Sequence, residues 1–331
     1  MRTDRIALDR WNPDPSVIER AGALLREGRL VAFPTETVYG LGANGLDPGA
    51  VKKIFLAKGR PSDNPLILHL CDPRDARSLA RVDARAEAVM EAFWPGPLTL
   101  VLPALPVVPA EVTAGLETVA LRMPDHPVAL SLIGAAGCPV AGPSANRSGR
   151  PSPTDADAVM ADLDGRVDLV LDAGAVEVGV ESTVLDLTGE RAVLLRPGGM
   201  SVERIAEFFG EEPGVADKNS ARRSPGTRYR HYAPAVPVHV WHGEELRDID
   251  PATSGFIGLD LPRADFARAI VFDSSENFAR GIFAGFRRME ADGVLRIVVQ
   301  WPDARGIGLA LRDRIRRASE DRSPENRAPE R

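Results

Sequence analysis

The sequence predicts an α/β protein with two domains. Strand and helix patterns alternate from residue 17 to about residue 210, and a shorter α/β pattern follows an irregular stretch that lacks hydrophobic periodicity. A chain of 331 residues is long enough for two separate cores. We therefore expect a first domain over residues 1–210, a connection over 211–235, a second domain over 236–318 and a disordered polar tail over 319–331.

Apolar spacing predicts the elements of the first domain in chain order. An acid or hydroxyl that precedes a helical stretch is a typical N-cap, and we assign that role to Asp47, Thr154 and Ser201. The expected helices are 17–26, 48–58, 84–93, 128–136, 155–163 and 202–209. The expected strands are 30–33, 66–70, 98–102, 118–121, 139–141, 169–171, 183–187 and 192–195.

The second domain is predicted to be a smaller α/β unit. An apolar stripe with helical spacing over residues 278–289 is expected to pack in its core, and a last helix covers 306–317. The expected strands are 236–241, 255–259, 269–272 and 294–299.

Composition argues against several classes of protein. The net charge is −6, which argues against a broad binding face for nucleic acid. No apolar run approaches the roughly 20 residues of a membrane span, and the N-terminus has no apolar signal core, so we expect a cytoplasmic protein. Cys71 and Cys138 are too few for a thiolate metal site. The P-loop pattern and the dinucleotide-binding glycine pattern are both absent from the sequence.

The most informative segment is residues 33–42, Phe-Pro-Thr-Glu-Thr-Val-Tyr-Gly-Leu-Gly. An apolar strand here leads into a loop with hydroxyls, one acid, one phenol and two glycines. Loops that follow a rigid strand often carry binding groups, and glycines let the backbone approach a ligand closely. We expect this loop to form part of a pocket for a small polar substrate.

Lys58 and Arg60 follow the second predicted helix. Cations at a helix C-terminus often only complement the helix dipole. The alternative is phosphate recognition, which arginine suits well, and the prolines at 61 and 65 would stiffen the segment that follows. We expect both side chains to face solvent.

Residues 144–154 and two strand ends supply further polar groups. One helix cap would need only Thr154, whereas the segment also contains Ser144, Asn146 and Ser152. Arg122 and Arg196 each end a strand, where an arginine can be a solvated edge residue. If the two converge on one face of a sheet, they form clamps for carboxylate and phosphate groups.

These motifs, in this order, resemble the Sua5/YrdC/YciO family of threonylcarbamoyl-AMP synthases, in the longer Sua5 type with an extra C-terminal domain. The resemblance is strong over residues 20–235 and weaker over 236–310. It implies a YrdC-like α/β domain with a twisted mixed sheet and a smaller Rossmann-like α/β domain. One departure is Gly142-Pro143, where relatives often have small hydroxyl residues, and this implies a water-mediated or backbone contact at that point.

The resemblance also implies the site residues. Catalytic roles fall on Lys58, Arg60, Ser144 and Asn146. ATP-binding roles fall on Lys58, Arg60, Asn64, Thr118, Ser144, Ser152 and Arg196, and we expect Tyr232 of the connection to join them. L-threonine-binding roles fall on Thr35, His69, Arg122 and Ser182, although His69 on its own would more often be a core histidine.

The implied reaction joins L-threonine, bicarbonate or carbon dioxide, and ATP to give threonylcarbamoyl-AMP and pyrophosphate. The product would pass to the machinery that makes N6-threonylcarbamoyladenosine in tRNA, with a weak tRNA contact as one option. Mg²⁺ would be held mainly by the triphosphate, without a dedicated protein metal site.

Two other functions are compatible with the residues, and one further segment suggests a lid. The alternatives are a double-stranded RNA-binding module and another carbamoyl or adenylyl transfer on the same scaffold.

The connection contains Tyr229, His231 and Tyr232, which are more ring groups than a passive spacer would have. We expect this segment to fold over the site as a lid, with one of the three contacting the nucleotide; the alternative is a linker that packs on its own domain surface.

Overall fold

The computed structural model describes residues 2–216, 232–246 and 249–319. Its first part contains a mixed sheet of eleven strands in the order β1-β8-β2-β3-β7-β4-β6-β5-β9-β10-β11. The strands are β1 Asp4–Ala7, β2 Val31–Phe33, β3 Gly40–Asn44, β4 Ile67–His69, β5 Leu98–Pro103, β6 Thr118–Arg122, β7 Val140–Ala141, β8 Leu169–Asp172, β9 Thr183–Asp186, β10 Val193–Arg196 and β11 Gly214–Val215. Each of the eight predicted strands of this domain is present, with ends that differ by at most one residue.

Helices cover the sheet through buried apolar faces. The helices of this part are α1 Pro15–Arg26, α2 Pro48–Lys58, α3 Ala76–Leu79, α4 Ala84–Phe93, α5 Ala110–Thr113, α6 Pro127–Ala136, α7 Ala156–Leu163 and α8 Val202–Phe209. The largest apolar cluster includes Leu41, Ile54, Leu100 and Val170, and is shared by strands and helices. The predicted mixed α/β fold is therefore confirmed.

Two of the three predicted helix caps are confirmed, and one is wrong. The Asp47 carboxylate accepts a hydrogen bond from Gly49 N at 2.8 Å, and Ser201 Oγ accepts one from Arg204 N. At α7 the cap is Asp155, whose carboxylate accepts from Ala158 N at 2.8 Å. Thr154 lies one residue too early, because its carbonyl accepts a hydrogen bond from Val176 N and holds that backbone outside the helix.

The strand β3 was not predicted, because the sequence there has the composition of a loop. Its two glycines pack beneath the ring of Phe33: a Cβ at Gly40 would lie 3.1 Å from Phe33 Cζ, and one at Gly42 would lie 3.0 Å from Phe33 Cε1. Glycine is therefore needed for β2 and β3 to pair while Phe33 stays buried. The strands β1 and β11 were also missed.

The second part of the structure is a four-stranded parallel sheet in the order β12-β15-β13-β14. The strands are β12 Val238–Trp241, β13 Ser254–Gly258, β14 Arg268–Val271 and β15 Arg296–Gln300, and the helices are α9 Ser275–Ala291 and α10 Gly308–Ser319. The predicted apolar stripe of α9 is fully buried, as expected for core. Most of the predicted connection, including Tyr229 and His231, and the tail after residue 319 lie outside the described residues.

The two parts contact each other through α9. Arg150 forms a bidentate ion pair with Glu290, with both N–O distances at 2.9 Å, and Arg287 pairs with Asp162 at 2.8 Å. Gly179 lies directly against the α9 backbone, where a Cβ would come within 2.3 Å of Arg280 Cα. None of the helices in the described ranges is long and apolar enough to cross a membrane.

Candidate active site

A polar cavity lies where several strand ends and loops of the first sheet meet Tyr232. Its empty volume is about 580 Å³, which includes its open mouth. Its walls are Thr35, Thr37, Val38, Gly40, Arg60, Leu66, Ile67, His69, Arg122, Gly142, Pro143, Ser144, Glu181, Ser182, Arg196 and Tyr232. Eight residues singled out from the sequence are among them: Thr35, Arg60, His69, Arg122, Ser144, Ser182, Arg196 and Tyr232.

Three guanidinium groups face this one cavity. Arg122 ends β6, Arg196 ends β10 and Arg60 follows α2, and all three side chains are buried. The two strand-end arginines thus converge as their positions suggested. Burial lowers the pKa of Arg60 to about 10 and also lowers the pKa of Arg196. Three guanidinium groups at one cavity are suited to bind carboxylate or phosphate groups, so the cavity favours an anionic ligand.

The Arg122 guanidinium is held by an acid from the loop after β2. Its Nη2 lies 2.6 Å from Glu36 Oε1, and its Nε donates to Gly96 O at 3.2 Å. Both members of this ion pair are buried. We assigned Glu36 no role from the sequence; the signal that could have found it is a single acid in a loop otherwise made of hydroxyl and apolar groups. A buried acid of this kind requires a cationic partner.

Arg196 and Ser182, which both line the cavity, are hydrogen-bonded to each other. Arg196 Nη2 donates to Ser182 O at 2.8 Å and to Ser182 Oγ at 3.2 Å. Ser182 Oγ also lies 2.8 Å from Thr99 Oγ1. The Ser182 hydroxyl is therefore fixed by contacts within the first domain.

Lys58 and Arg60 are buried, so the prediction that they face solvent is wrong. Gly59, in the left-handed conformation with φ of +60°, ends α2 and turns the chain beneath the loop that carries Ser144. Lys58 Nζ donates to the carbonyls of Ser144 and Asn146, the latter at 2.6 Å. Burial lowers the pKa of Lys58 well below its usual value. Lys58 therefore holds the shape of this loop, whereas Arg60 reaches the cavity.

The backbone places Ser144 beside the loop after β2. Ser144 bridges to Gly40, and Leu41 N donates to Pro143 O at 2.7 Å. Within that loop, Thr35 Oγ1 lies 2.8 Å from Thr37 Oγ1 and donates to Val38 O. These contacts place three hydroxyls and two backbone segments along one wall.

His69 is both buried and part of the cavity wall, which combines the two alternatives considered from the sequence. Burial, reinforced by the charge of Arg122, lowers its pKa to about 3, so the ring is neutral at physiological pH. Its Nδ1 and Arg60 Nε are buried without a hydrogen-bond partner among the residues that the structure describes. Buried polar atoms without partners at one cavity are typical of a ligand site.

Four other predicted site residues do not line the cavity. Ser152 Oγ donates to Glu181 Oε1 at 2.5 Å, and Asn146 Nδ2 donates to Arg147 O and Arg150 O. Asn64 is fully buried beside Arg60, which donates to the Asn64 carbonyl at 3.4 Å. Thr118 begins β6 and is thus separated from Arg122 by the length of that strand, about 13 Å.

Tyr232 reaches the cavity from the start of the second part. Its backbone has a φ of +67°, which is uncommon for tyrosine, and its ring stacks on Phe283 at a centroid distance of 5.4 Å. Burial raises the pKa of its hydroxyl, which therefore stays protonated. No cluster of three or more His, Cys, Asp or Glu side chains that could hold a metal ion occurs within residues 2–216, 232–246 and 249–319.

The fold and this cavity define the class: a two-part α/β enzyme with a buried, cation-rich pocket for an anionic substrate and a small polar one. The chain belongs to the Sua5/YrdC/YciO family. The family model described as "Telomere recombination" matches residues 23–198. The model described as "Threonylcarbamoyl-AMP synthase, C-terminal domain" matches residues 200–320.

Relatives and solved structures agree with this assignment. A threonylcarbamoyl-AMP synthase of Pyrococcus abyssi is 46% identical over 91% of this chain and 94% of its own length. One from Bacillus subtilis is 44% identical over 92% of this chain and 93% of its own. The crystal structure of P. abyssi Sua5 with L-threonine has a TM-score of 0.89 at 44% identity and covers 96% of this chain and 98% of that one. Escherichia coli YciO covers 60% of this chain and 95% of its own, with a TM-score of 0.54 at 27% identity.

Proposed function

We propose that this chain is an L-threonylcarbamoyladenylate synthase. It joins L-threonine, bicarbonate or carbon dioxide, and ATP, and releases pyrophosphate. The observation that carries the proposal is the convergence of three buried guanidiniums and a wall of hydroxyls on one cavity, in a chain that matches threonylcarbamoyl-AMP synthases along nearly its whole length.

The threonine side of the cavity would be Arg122, Ser182, Thr35 and His69. Arg122 has a guanidinium oriented by Glu36 and suited to a carboxylate. The Ser182 and Thr35 hydroxyls and the neutral His69 can hydrogen-bond the substrate hydroxyl. The solved Sua5 structure with L-threonine supports a threonine site in this fold.

The nucleotide side would be Arg60, Arg196, Ser144 and Tyr232. The two arginines neutralise phosphate charge, and Ser144 presents its hydroxyl from a loop that Lys58 and Asn146 hold. Mg²⁺ would arrive bound to the triphosphate and spread its negative charge, since its coordination is usually satisfied by phosphate oxygens and water.

The reaction mainly requires the protein to position the substrates and to neutralise the charge of the phosphates. The amine of L-threonine adds to carbon dioxide and loses a proton, which gives a carbamate. A carbamate oxygen then bonds to the α-phosphorus of ATP as the bond to pyrophosphate breaks. Both nucleophiles belong to the substrates, so a cavity that aligns them can supply most of the catalysis.

We further propose that residues 1–210 form the catalytic domain and that residues 211–235 connect it to the domain over 236–318, followed by a polar tail. The product would pass in the cytoplasm to a transferase that attaches the threonylcarbamoyl group to tRNA. A weak tRNA contact of this chain is part of the proposal.

The test is pyrophosphate release with ATP, bicarbonate and a single amino acid. L-Threonine should react at least about 100-fold faster than L-valine, because a buried site that hydrogen-bonds a hydroxyl discriminates strongly against an analogue that lacks it. Omission of bicarbonate should abolish the release. Equal rates with the two amino acids would overturn the proposal.

A further inference from the structure

Arg314 is a fully buried cation on α10 of the second part, and it reaches the wall of the cavity. Its side chain has no exposed surface. Its Nε lies 2.7 Å from Glu181 Oε2, and its Nη1 donates to Pro197 O at 3.1 Å and to Asp313 at 2.6 Å. The pattern of the predicted helix over 306–317 does not distinguish Arg314 from the other arginines of that helix, because it does not show which segment each side chain contacts.

The two segments that Arg314 joins are the ones that hold Arg196 and Ser182. Glu181 immediately precedes Ser182, and Pro197 immediately follows Arg196. These segments touch closely, because Gly199 N donates to Glu181 O at 2.9 Å and a Cβ at Gly198 would lie 2.3 Å from Glu181 O. Arg314 thus contacts a direct neighbour of each of the two hydrogen-bonded residues Arg196 and Ser182.

The same guanidinium supports Tyr232. Its central carbon lies 5.1 Å from the centre of the Tyr232 ring, and the ring also stacks on Phe283 of α9. Tyr232 needs such support, because its left-handed backbone conformation is costly for a residue other than glycine.

A purely structural role for α10 would not require this cation. Leu311 and Ile315 already pack α10 into the apolar core of the second part. A buried ion pair costs desolvation that apolar packing would avoid. Arg314 Nη2 is moreover buried without a hydrogen-bond partner among the described residues.

We infer that Arg314 is a positioning residue for the nucleotide side of the active site: through Glu181, Pro197 and Tyr232 it holds Arg196 and the tyrosine ring in place. The second domain therefore completes the catalytic cavity. This inference rests on the proposed function. The threonine side depends less on Arg314, because Arg122 is held by Glu36 and Ser182 by Thr99, both in the first domain.

The experiment measures binding of the two substrates separately by calorimetry. The probes are L-threonine and the Mg²⁺ complex of an ATP analogue with a methylene bridge between its α and β phosphates. Arg314→Met should weaken binding of the analogue by at least ~10-fold and that of L-threonine by less than ~3-fold, since the nucleotide side loses more of its support than the threonine side. The affinity of Arg314→Lys for the analogue should lie between those of wild type and Arg314→Met, because an ammonium group keeps the charge but cannot form the same set of directed hydrogen bonds as a guanidinium.

Two controls separate positioning from stability. Arg316→Met removes a mostly exposed partner of the same Asp313, and Glu290→Gln removes a charge from an ion pair between the domains that does not line the cavity. Both should leave the two affinities unchanged, even where Glu290→Gln lowers the melting temperature.

The outcomes are decisive in either direction. Equal losses for both probes, or no loss for the analogue, would overturn the inference. If Arg314→Met does not fold, the same comparison applies to Arg314→Lys, for which analogue binding should weaken by at least ~3-fold with threonine binding unchanged. Wild-type protein that releases no pyrophosphate with ATP, bicarbonate and L-threonine would instead refute the proposed function, which keeps the two failures distinct.

Discussion

Individual residues around the cavity differ in what holds them, and this decides what each substitution should do. Arg60 faces the cavity with a buried Nε that has no partner within the described residues, whereas the nearby Lys58 donates to loop carbonyls. The two cations therefore have different functions although they are two positions apart. One is available to a ligand, and the other maintains a loop.

Substitution of these two cations should separate the roles. Arg60→Met should lower the rate of pyrophosphate release at least ~10-fold, because it removes about 1.4 kcal/mol or more of transition-state stabilisation. It should lower the stability less than Lys58→Met does, because the contacts of Arg60 with the Asn64 and Pro65 carbonyls are long, at 3.4 and 3.2 Å. Lys58→Met should lower both the rate and the stability, the latter by about 1–3 kcal/mol, because it leaves buried carbonyls without a donor.

Lys52→Met is the matched control, since Lys52 lies on the same helix with a side chain that is 64% exposed. It should change neither quantity. Unchanged turnover in folded Arg60→Met would show that Arg60 only complements the end of α2.

His126 should make the protein sensitive to acid. Burial, reinforced by the charge of Arg10, lowers its pKa to about 4 from the ordinary value of 6.5. Between these values the unfolded chain binds a proton that the folded chain does not, so stability falls as the pH decreases. The loss between about pH 7 and about pH 5 is on the order of 2 kcal/mol.

His126→Gln should reduce this loss in denaturant titrations at the two pH values. His242→Gln, at an exposed histidine, is the control for the loss of one imidazole. A full acid sensitivity in folded His126→Gln would contradict the assignment. Because His126 does not line the cavity, the measurement is independent of catalysis.

At the scale of elements, helix ends and one unexpected strand position the site. The C-terminus of α2 directs Lys58 under the loop with Ser144, and pairing of β2 with β3 presents the hydroxyl loop between them. The helix α7 follows directly after the polar 144–154 segment, so its first residue determines where that segment ends. The cap at Asp155 thus fixes the end of the segment that carries Ser144.

Asp155→Ala should cost about 1 kcal/mol of stability through the lost N-cap, as measured by chemical denaturation. Asp157→Ala provides the comparison in the first turn of the same helix, where the side chain is 82% exposed and pairs with Arg5. This exposed pair should contribute less than about 1 kcal/mol. The opposite order of the two effects would indicate that another residue caps α7.

At the scale of the whole molecule, the connection and the second domain both contribute to the cavity, and the second domain also packs against the first. Tyr232 lines the cavity, and Arg314 contacts its wall. Val38 and Val180 of the first part belong to the apolar cluster that contains Phe283 of α9. The packing of α9 on the first domain should therefore influence turnover.

Gly179→Ala tests this coupling, because the added Cβ would lie 2.3 Å from Arg280 Cα and must push α9 away. Gly174→Ala is a matched control: both glycines have a positive φ, +84° and +82°, and a Cβ at Gly174 would meet nothing within 4 Å. The control should cost about 1 kcal/mol from backbone strain alone. Gly179→Ala should cost more and should also slow pyrophosphate release, and equal effects of the two would contradict the proposed coupling.

The sequence alone was sufficient for the fold class, most element positions and the family. Hydrophobic periodicity and capping residues are local properties, so α1, α4 and the core stripe of α9 were predicted close to their observed ends. Half of the cavity wall was also identified, because strand ends and polar loops are visible as short motifs and the resemblance to the family added Ser182 and His69.

Tertiary structure decided which of these polar groups face the cavity and what holds them. Lys58, Thr118 and Arg60 were all assigned to nucleotide binding from the sequence. In the structure Lys58 supports a loop, and Thr118 lies at the end of β6 that is distant from Arg122. The Glu36–Arg122 and Glu181–Arg314 pairs join residues 86 and 133 positions apart, so no local pattern marks them. Burial and pairing depend on contacts between distant segments, and only the folded chain brings those segments together.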